Sequence, residues 1–221
     1  MATEDYVKAV YMLEERGSGA VTTTAMAQRL GVSVSSASGM VHKLSEQGLV
    51  THRRYRNVEL TESGRRLALG VVRRHRIIEL YLVEALGYGW DEVHEEAEVL
   101  EHVISDKLLD RIAAALGGER ERDPHGDPIP SRDGQMVETP TCQLAALQPG
   151  TVGELVRVAD APPPLLRYLA EHHIALGDRI EAVERQPLDG PVVVRIGEPP
   201  HDTVHTIGGA LATAMEVVVT H

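Results

Sequence analysis

Through the first half of the chain, apolar residues recur every three or four positions. In the last third they gather in short strand-length runs such as Val192–Val194 and Val217–Val219. Between residues 4 and 16, Tyr6, Val10 and Leu13 share a helical stripe with Val7 beside them, and Gly17 ends the run. That spacing predicts an amphipathic helix with a glycine cap. Thr24–Leu30 reads as a short helix closed by Gly31, and residues 35–47 carry Ala37, Val41 and Leu44 on one face up to Gly48. Leu49–His52 and Val58–Leu60 are β-type runs flanking Arg53-Arg54-Tyr55-Arg56-Asn57, which reads as a hairpin. Thr61 is placed to cap a long helix from Glu62 to about Leu86. Residues 87–91 break it, and a further helix is expected over about 92–116, ending at Gly117-Gly118.

Residues 119–140 are rich in proline, glycine and charge and read as a connector. Beyond them, strands are expected at Thr151–Val158, Arg179–Val183, Val192–Ile196 and Met215–Thr220, with helical pieces near Pro164–His172 and Ile207–Ala214. The expected fold is therefore mainly α with a small β part: helix-turn-helix and hairpin, then a helical middle, then a small barrel. No internal repeat is visible.

Composition narrows the class. Of 221 residues, 43% are hydrophobic and 25% charged, which excludes a disordered or low-complexity chain. With six tyrosines, Trp90 and no phenylalanine, the core must be aliphatic. No run approaches the roughly 20 apolar residues of a membrane span. The acidic N-terminal segment lacks the basic start of a signal peptide, and the lone Cys142 has no internal disulfide partner. Both point to a reducing cytoplasm.

A net charge of −11 taken alone argues against nucleic acid. The charge is divided, however: residues 1–74 carry +4 and residues 75–221 carry −15. A basic head on an acidic body implies different partners for the two parts.

The head has the order of a winged helix-turn-helix. Opposite Ala37, Val41 and Leu44, its second helix presents Ser36, Gly39 and Lys43, with Ser38 beside them. Ser33, Ser35 and Ser36 place small hydroxyls at its N-terminal end, suited to phosphate contacts and close approach to a major groove. Arg53, Arg54 and Arg56 on the wing suit phosphates or a minor groove. These residues predict double-stranded DNA as a partner. Serine hydroxyls discriminate bases poorly, so they do not predict the sequence read.

The body carries metal-ligand types at helical spacing. Glu98, Glu101 and His102 lie at i, i+3 and i+4, with His94 a turn earlier. His75 and Glu79 are i and i+4 on the preceding helix, and Asp5 lies on the first. Packed together, these helices would form an oxygen and nitrogen site without thiolate. Such a site suits Mn2+, with Fe2+ next; Zn2+ stays open because affinity alone favours it. His94-Glu95-Glu96-Ala97-Glu98 lacks the second histidine of a zinc-protease motif.

Several segments make a family likeness specific. They are Glu4-Asp5-Tyr6, Leu60-Thr61-Glu62-Ser63-Gly64, Arg73-Arg74-His75-Arg76 and Trp90-Asp91-Glu92-Val93-His94. To these add Ala97-Glu98-Val99-Leu100-Glu101-His102 and Asp123-Pro124-His125-Gly126-Asp127-Pro128-Ile129-Pro130. Across essentially the whole chain, it resembles the diphtheria-toxin-repressor family of metal-dependent transcription regulators, most closely the manganese-responsive actinobacterial branch. The resemblance implies a winged helix-turn-helix domain over 1–72, a helical dimerisation and metal-binding domain over 73–140 and an SH3-like domain over 141–221. It also implies a homodimeric repressor of manganese homeostasis genes on a palindromic operator, with no membrane and no small-molecule substrate as partner.

By position, the resemblance implies a regulatory metal site at Asp5, Glu98, Glu101 and His102. Iron-responsive members have Met and Cys in place of Asp5 and Glu98, and replacing two soft sulfur ligands by carboxylates favours Mn2+. Bacillus-type manganese regulators have a glutamate where this chain has Lys8, a cation that would repel a closely spaced second metal. A further site is implied at His75, Glu79, His125 and Asp160, with Asp123 or His94. The rivals are an iron(II)-responsive repressor of the same family, a metal-dependent hydrolase, and a metal-buffering or adaptor protein.

Overall fold

The computed structural model describes residues 2–15, 17, 20–52, 57–137, 139–159, 161–187 and 190–220. The wing arginines Arg53, Arg54 and Arg56 lie outside them, as does Asp160.

The first unit comprises α1 (Ala2–Glu15), α2 (Thr23–Arg29), α3 (Val34–Glu46) and a hairpin of β1 (Val50–His52) with β2 (Val58–Leu60). Helix starts follow local chemistry. Thr22 and Ser33 begin α2 and α3, each hydroxyl accepting a backbone N–H three residues on, at 3.1 Å. Thr61 does the same for α4 (Glu62–Leu86). The core of this unit is Tyr6, Val7, Val10, Met26, Ala37, Val41 and Leu44, closed by Ala68, Leu69 and Val72 from α4.

Helix α4 spans about 38 Å at 1.5 Å per residue and runs on into the second unit. There Ile78 and Leu82 pack against Val93 and Ala97, while Ile77 and Leu80 pack against Leu116 and Ile129. The single helix expected over about 92–116 is two: α5 (Val93–Leu100) and α6 (Asp106–Ala115). Residues 101–105 form a turn between them, and the Ser105 hydroxyl caps α6 by accepting the Leu108 N–H. Apolar periodicity carries through that turn in sequence, so the break is set by the cap and by what Glu101 and His102 face. The connector is ordered, with Arg122 and Pro128 forming an isolated bridge.

The third unit is a small SH3-like β domain. Its strands are β3 (Cys142–Gln143), β4 (Val152–Val158), β5 (Arg179–Arg185), β6 (Val192–Ile196), β7 (Thr203–Ile207) and β8 (Met215–Val219), with α7 (Pro163–Glu171) and α8 (Gly209–Ala214). They form one antiparallel sheet in the order β3-β8-β4-β5-β6-β7, bent at bulges in β4 and β5. Sequence reading missed β3 and β7, the latter an edge strand whose apolar alternation is weak. The core is aliphatic, as expected: Leu144, Leu155, Leu169, Ile180, Val194, Ile207 and Met215.

Two contacts dock this unit on the second. Trp90 packs against its core and donates its indole N–H to the Leu166 carbonyl at 3.2 Å. Gly126, at φ +85°, lies flat on β4, where any side chain would collide with the Val156 carbonyl. The neighbouring His125 carbonyl accepts the Val158 N–H at 2.8 Å. Among the described residues no helix is long and apolar enough to cross a membrane.

Candidate metal centre and nucleic-acid face

Where the three units meet lies a cleft of about 860 Å³. Helix α1 brings Asp5 and Lys8 to it, α4 brings His75, Arg76 and Glu79, and α5 brings His94 and Glu98. The turn after α5 adds Glu101, with His102 alongside, and the loop held by Gly126 adds Asp123 and His125. His75, Arg76, Glu79, Glu101 and Asp123 are buried. Buried charges persist only when matched.

The ligand-type atoms fall into linked groups. In the first, His102 Nε2 stands 2.9 Å from Asp5 Oδ1 and 3.6 Å from Glu101 Oε1. In the second, Glu79 Oε1 lies 3.0 Å from His75 Nε2 and 3.1 Å from His94 Nδ1. His75 joins the two through its Nδ1, 2.6 Å from Glu101 Oε2. A third group pairs Glu79 with Asp123 and His125.

Glu98, read as a partner of Asp5, Glu101 and His102, groups with His75 and Glu101, its half-exposed carboxylate 3.3 Å from Lys8 Nζ and 3.7 Å from His94 Nε2. His125 stands with Glu79 and Asp123, apart from the His75–His94 pair. Its Nε2 donates to the Trp90 carbonyl at 2.7 Å, so in a neutral ring the lone pair sits on Nδ1. Asp123 already accepts the His125 and Asp127 N–H groups at 2.8 and 2.9 Å, so it also shapes its own loop.

Electrostatics follow from this crowding. Burial alone would lower the His75 pKa, but the carboxylates of Glu101 and Glu79 outweigh it and hold it at about 9. Burial would likewise raise Glu79 and Glu101. The His75 and His94 rings pull Glu79 well below the usual carboxylate range, and His75 with Lys8 pulls Glu101 down. Asp5 is raised by burial against the opposing pull of His102. Asp123 is raised strongly, by burial and by the nearby Asp127 and Glu79 carboxylates.

The donor set fits a divalent cation. Carboxylates outnumber the cationic side chains that line the cleft, and the donors in the groups are carboxylate oxygen and imidazole nitrogen, with no cysteine among them. Sequence reading missed the part of Arg76, whose buried guanidinium lies 3.6 Å from Asp123 and 3.7 Å from Asp127. The only signal for it was its place in the Arg73-Arg74-His75-Arg76 run.

In the first unit, Ser33, Ser35, Ser36, Ser38, Gly39 and Lys43 are all exposed on or just before α3. Ser33 Oγ lies 2.9 Å from Ser35 Oγ and 2.8 Å from Ser36 Oγ, so the three hydroxyls form one polar cap at the helix start.

Residues 1–58 match the N-terminal DNA-binding domain of iron-dependent repressors, and residues 61–131 match their metal-binding and dimerisation domain. Residues 142–219 match the FeoA domain. The chain is 32% identical to the iron-dependent repressor IdeR of Mycobacterium tuberculosis (strain ATCC 25618 / H37Rv), over 93% of this chain and 95% of that protein. In structure it is similar to a manganese-dependent transcriptional repressor in complex with manganese: TM-score 0.92, 46% identity, 99% of this chain and 100% of the other. ScaR with bound Cd2+ superposes with TM-score 0.80 at 29% identity, over 98% of each chain.

Proposed function

The chain belongs to the iron-dependent repressor family, whose members are DNA-binding transcriptional regulators and not enzymes, and on that premise we propose that it is a Mn2+-responsive, homodimeric, cytoplasmic repressor of manganese homeostasis genes. One observation carries the choice of metal: Asp5, Glu101 and His102 meet without a sulfur ligand among them.

In this reading Asp5, Glu101, His102 and Glu98 hold the regulatory ion, while His75, Glu79 and His94 hold a further one beside Asp123 and His125. A bound divalent cation supplies charge that matches the carboxylates and directional bonds that fix their positions. Asp5 stands on the DNA-binding unit, and Glu101 and His102 on the dimerisation unit. Helix α1 packs on α2 and α4, so fixing Asp5 against His102 orients α3 relative to the second unit. Exposed Leu86, Val99, Val103 and Leu108 on that unit support burial against a second copy. Two copies of α3 would then match two half-sites of a palindromic operator only at one separation. The cation can shift the population of competent dimers only as far as its differential affinity allows.

The test is operator binding with and without Mn2+ for the native chain and Asp5→Ala. Metal-stimulated binding lost in Asp5→Ala is expected; equal metal-free binding by both would sink the proposal. The likeness to IdeR favours a second reading, with Fe2+ as effector. An anaerobic titration giving operator binding at lower free Fe2+ than Mn2+ would select it.

A further inference from the structure

We propose that Glu4 is a positioning residue for the metal centre: its carboxylate is the acceptor for the His102 Nδ1 proton, so that the first turn of α1 grips one imidazole through both of its nitrogens. The inference rests on reading this joint as a metal centre.

His102 stands in the turn after α5 with its side chain 14% exposed. Its Nε2 faces Asp5 Oδ1 at 2.9 Å. Its Nδ1 is buried and makes no hydrogen bond. The carboxylate beside that orphaned nitrogen is Glu4, whose Oε2 is 3.7 Å away. Glu4 Oε1 lies 3.6 Å from Arg74 Nη1 on α4. The same guanidinium donates to the Glu101 carbonyl at 3.2 Å and stands 3.6 Å from Asp106 in the first turn of α6. One arginine thus sets Glu4 against the segment that carries Glu101 and His102.

A neutral imidazole has one N–H and one lone pair. A cation on Nε2 takes the lone pair, so the proton must sit on Nδ1. A buried N–H without an acceptor carries its full desolvation cost. Moving Glu4 Oε2 closer by about 0.8 Å brings it to hydrogen-bond distance. A carboxylate at that place fixes the tautomer and the ring plane and makes Nε2 a stronger donor to the cation. Glu4 and Asp5 are consecutive on α1 and point about 100° apart, so one reaches the metal side of the ring and the other its far side. Loading the site through Asp5 and His102 therefore enlists a second residue of the DNA-binding unit. Two adjacent positions of α1, not one, are then tied to the dimerisation unit.

The experiment compares the native chain, Glu4→Ala and Glu4→Gln. Mn2+ count and affinity are measured by equilibrium dialysis, and thermal melting is recorded in a chelator. Imidazole 15N NMR is recorded with Zn2+ as a diamagnetic probe. Glu4→Ala should bind the native number of Mn2+ ions, with the His102 site about tenfold weaker, and should melt in chelator as the native chain does. Its His102 Nδ1–H signal should be lost to solvent exchange. Glu4→Gln keeps an amide oxygen that accepts an N–H, so it should retain the signal and most of the affinity. Native affinity in Glu4→Ala, or equal losses in both variants, would overturn the role of Glu4 while leaving the metal centre standing. So would an affinity loss matched by a fall in chelator melting, which would make Glu4 a structural residue. Absence of Mn2+ binding by the native chain would overturn the metal centre and this inference with it.

Discussion

The core of the C-terminal sheet is apolar throughout, from Leu144 to Val217. At the three-unit joint, by contrast, lie the buried histidine and charged side chains among the described residues: His75, Arg76, Glu79, Glu101 and Asp123. In the sheet core each side chain gains by leaving water, and neighbours need only fit. At the joint each charge loses its hydration and must recover it from a specific partner, a balance that contributes little net stability.

The sharpest break in that contrast is at Glu79. Glu79→Ala takes away the carboxylate at His75 Nε2 and His94 Nδ1 and leaves Glu101 as the one carboxylate on the buried His75 ring, and about 3–5 kcal/mol of stability should go. Urea unfolding in a chelator checks this. Leu169→Ala, fully buried in the sheet core, should cost about 2–5 kcal/mol through transfer and cavity terms, without changing the number of Mn2+ bound.

The converse substitution sharpens the comparison. His75→Leu with Glu79→Leu replaces the pair by apolar side chains and should leave stability within about 1–2 kcal/mol of native, or raise it, while dialysis shows fewer Mn2+ per chain. A large loss of stability would mean the joint is structural after all.

pH separates the regions next. His75 has its folded pKa raised to about 9. The stability it contributes is complete below its ordinary value near 6.5 and is lost as pH rises through 9. Asp123, also raised, works in the same direction from lower pH. Glu79 and Glu101, both lowered, contribute stability present above the ordinary carboxylate value and lost only in acid. In a chelator the urea midpoint should therefore fall between pH 6.5 and 9. His75→Leu with Glu79→Leu should flatten that slope.

The smallest effect concerns the exposed start of α3. Ser33→Ala removes the cap of α3 and should cost about 1 kcal/mol by thermal melting. It should weaken operator binding without altering metal uptake.

Much of this contrast was readable in the residues. Tyr6, Val10 and Leu13 marked the buried stripe of α1. Thr61 marked the start of α4, because capping and amphipathic spacing act over one helical turn. His75 with Glu79, and Glu101 with His102, were visible as ligand types for the same reason. The break at 101–105 was not, since apolar spacing continues through it and the decision falls to Ser105 and to the partners of Glu101.

Glu98 shows the limit most clearly. Its i, i+3, i+4 spacing put it on a face with Glu101 and His102, yet its carboxylate turns to Lys8, whose ammonium comes from a helix some 90 residues earlier in the chain. Spacing within one helix orders side chains along that helix. It carries no information about which charge arrives from another helix. Local pattern was enough for the three units, their helix starts and the kinds of ligand they carry. The packing of α1 across α4 and the end of α5 decided which of those side chains stand together and which lie beside the Lys8 ammonium.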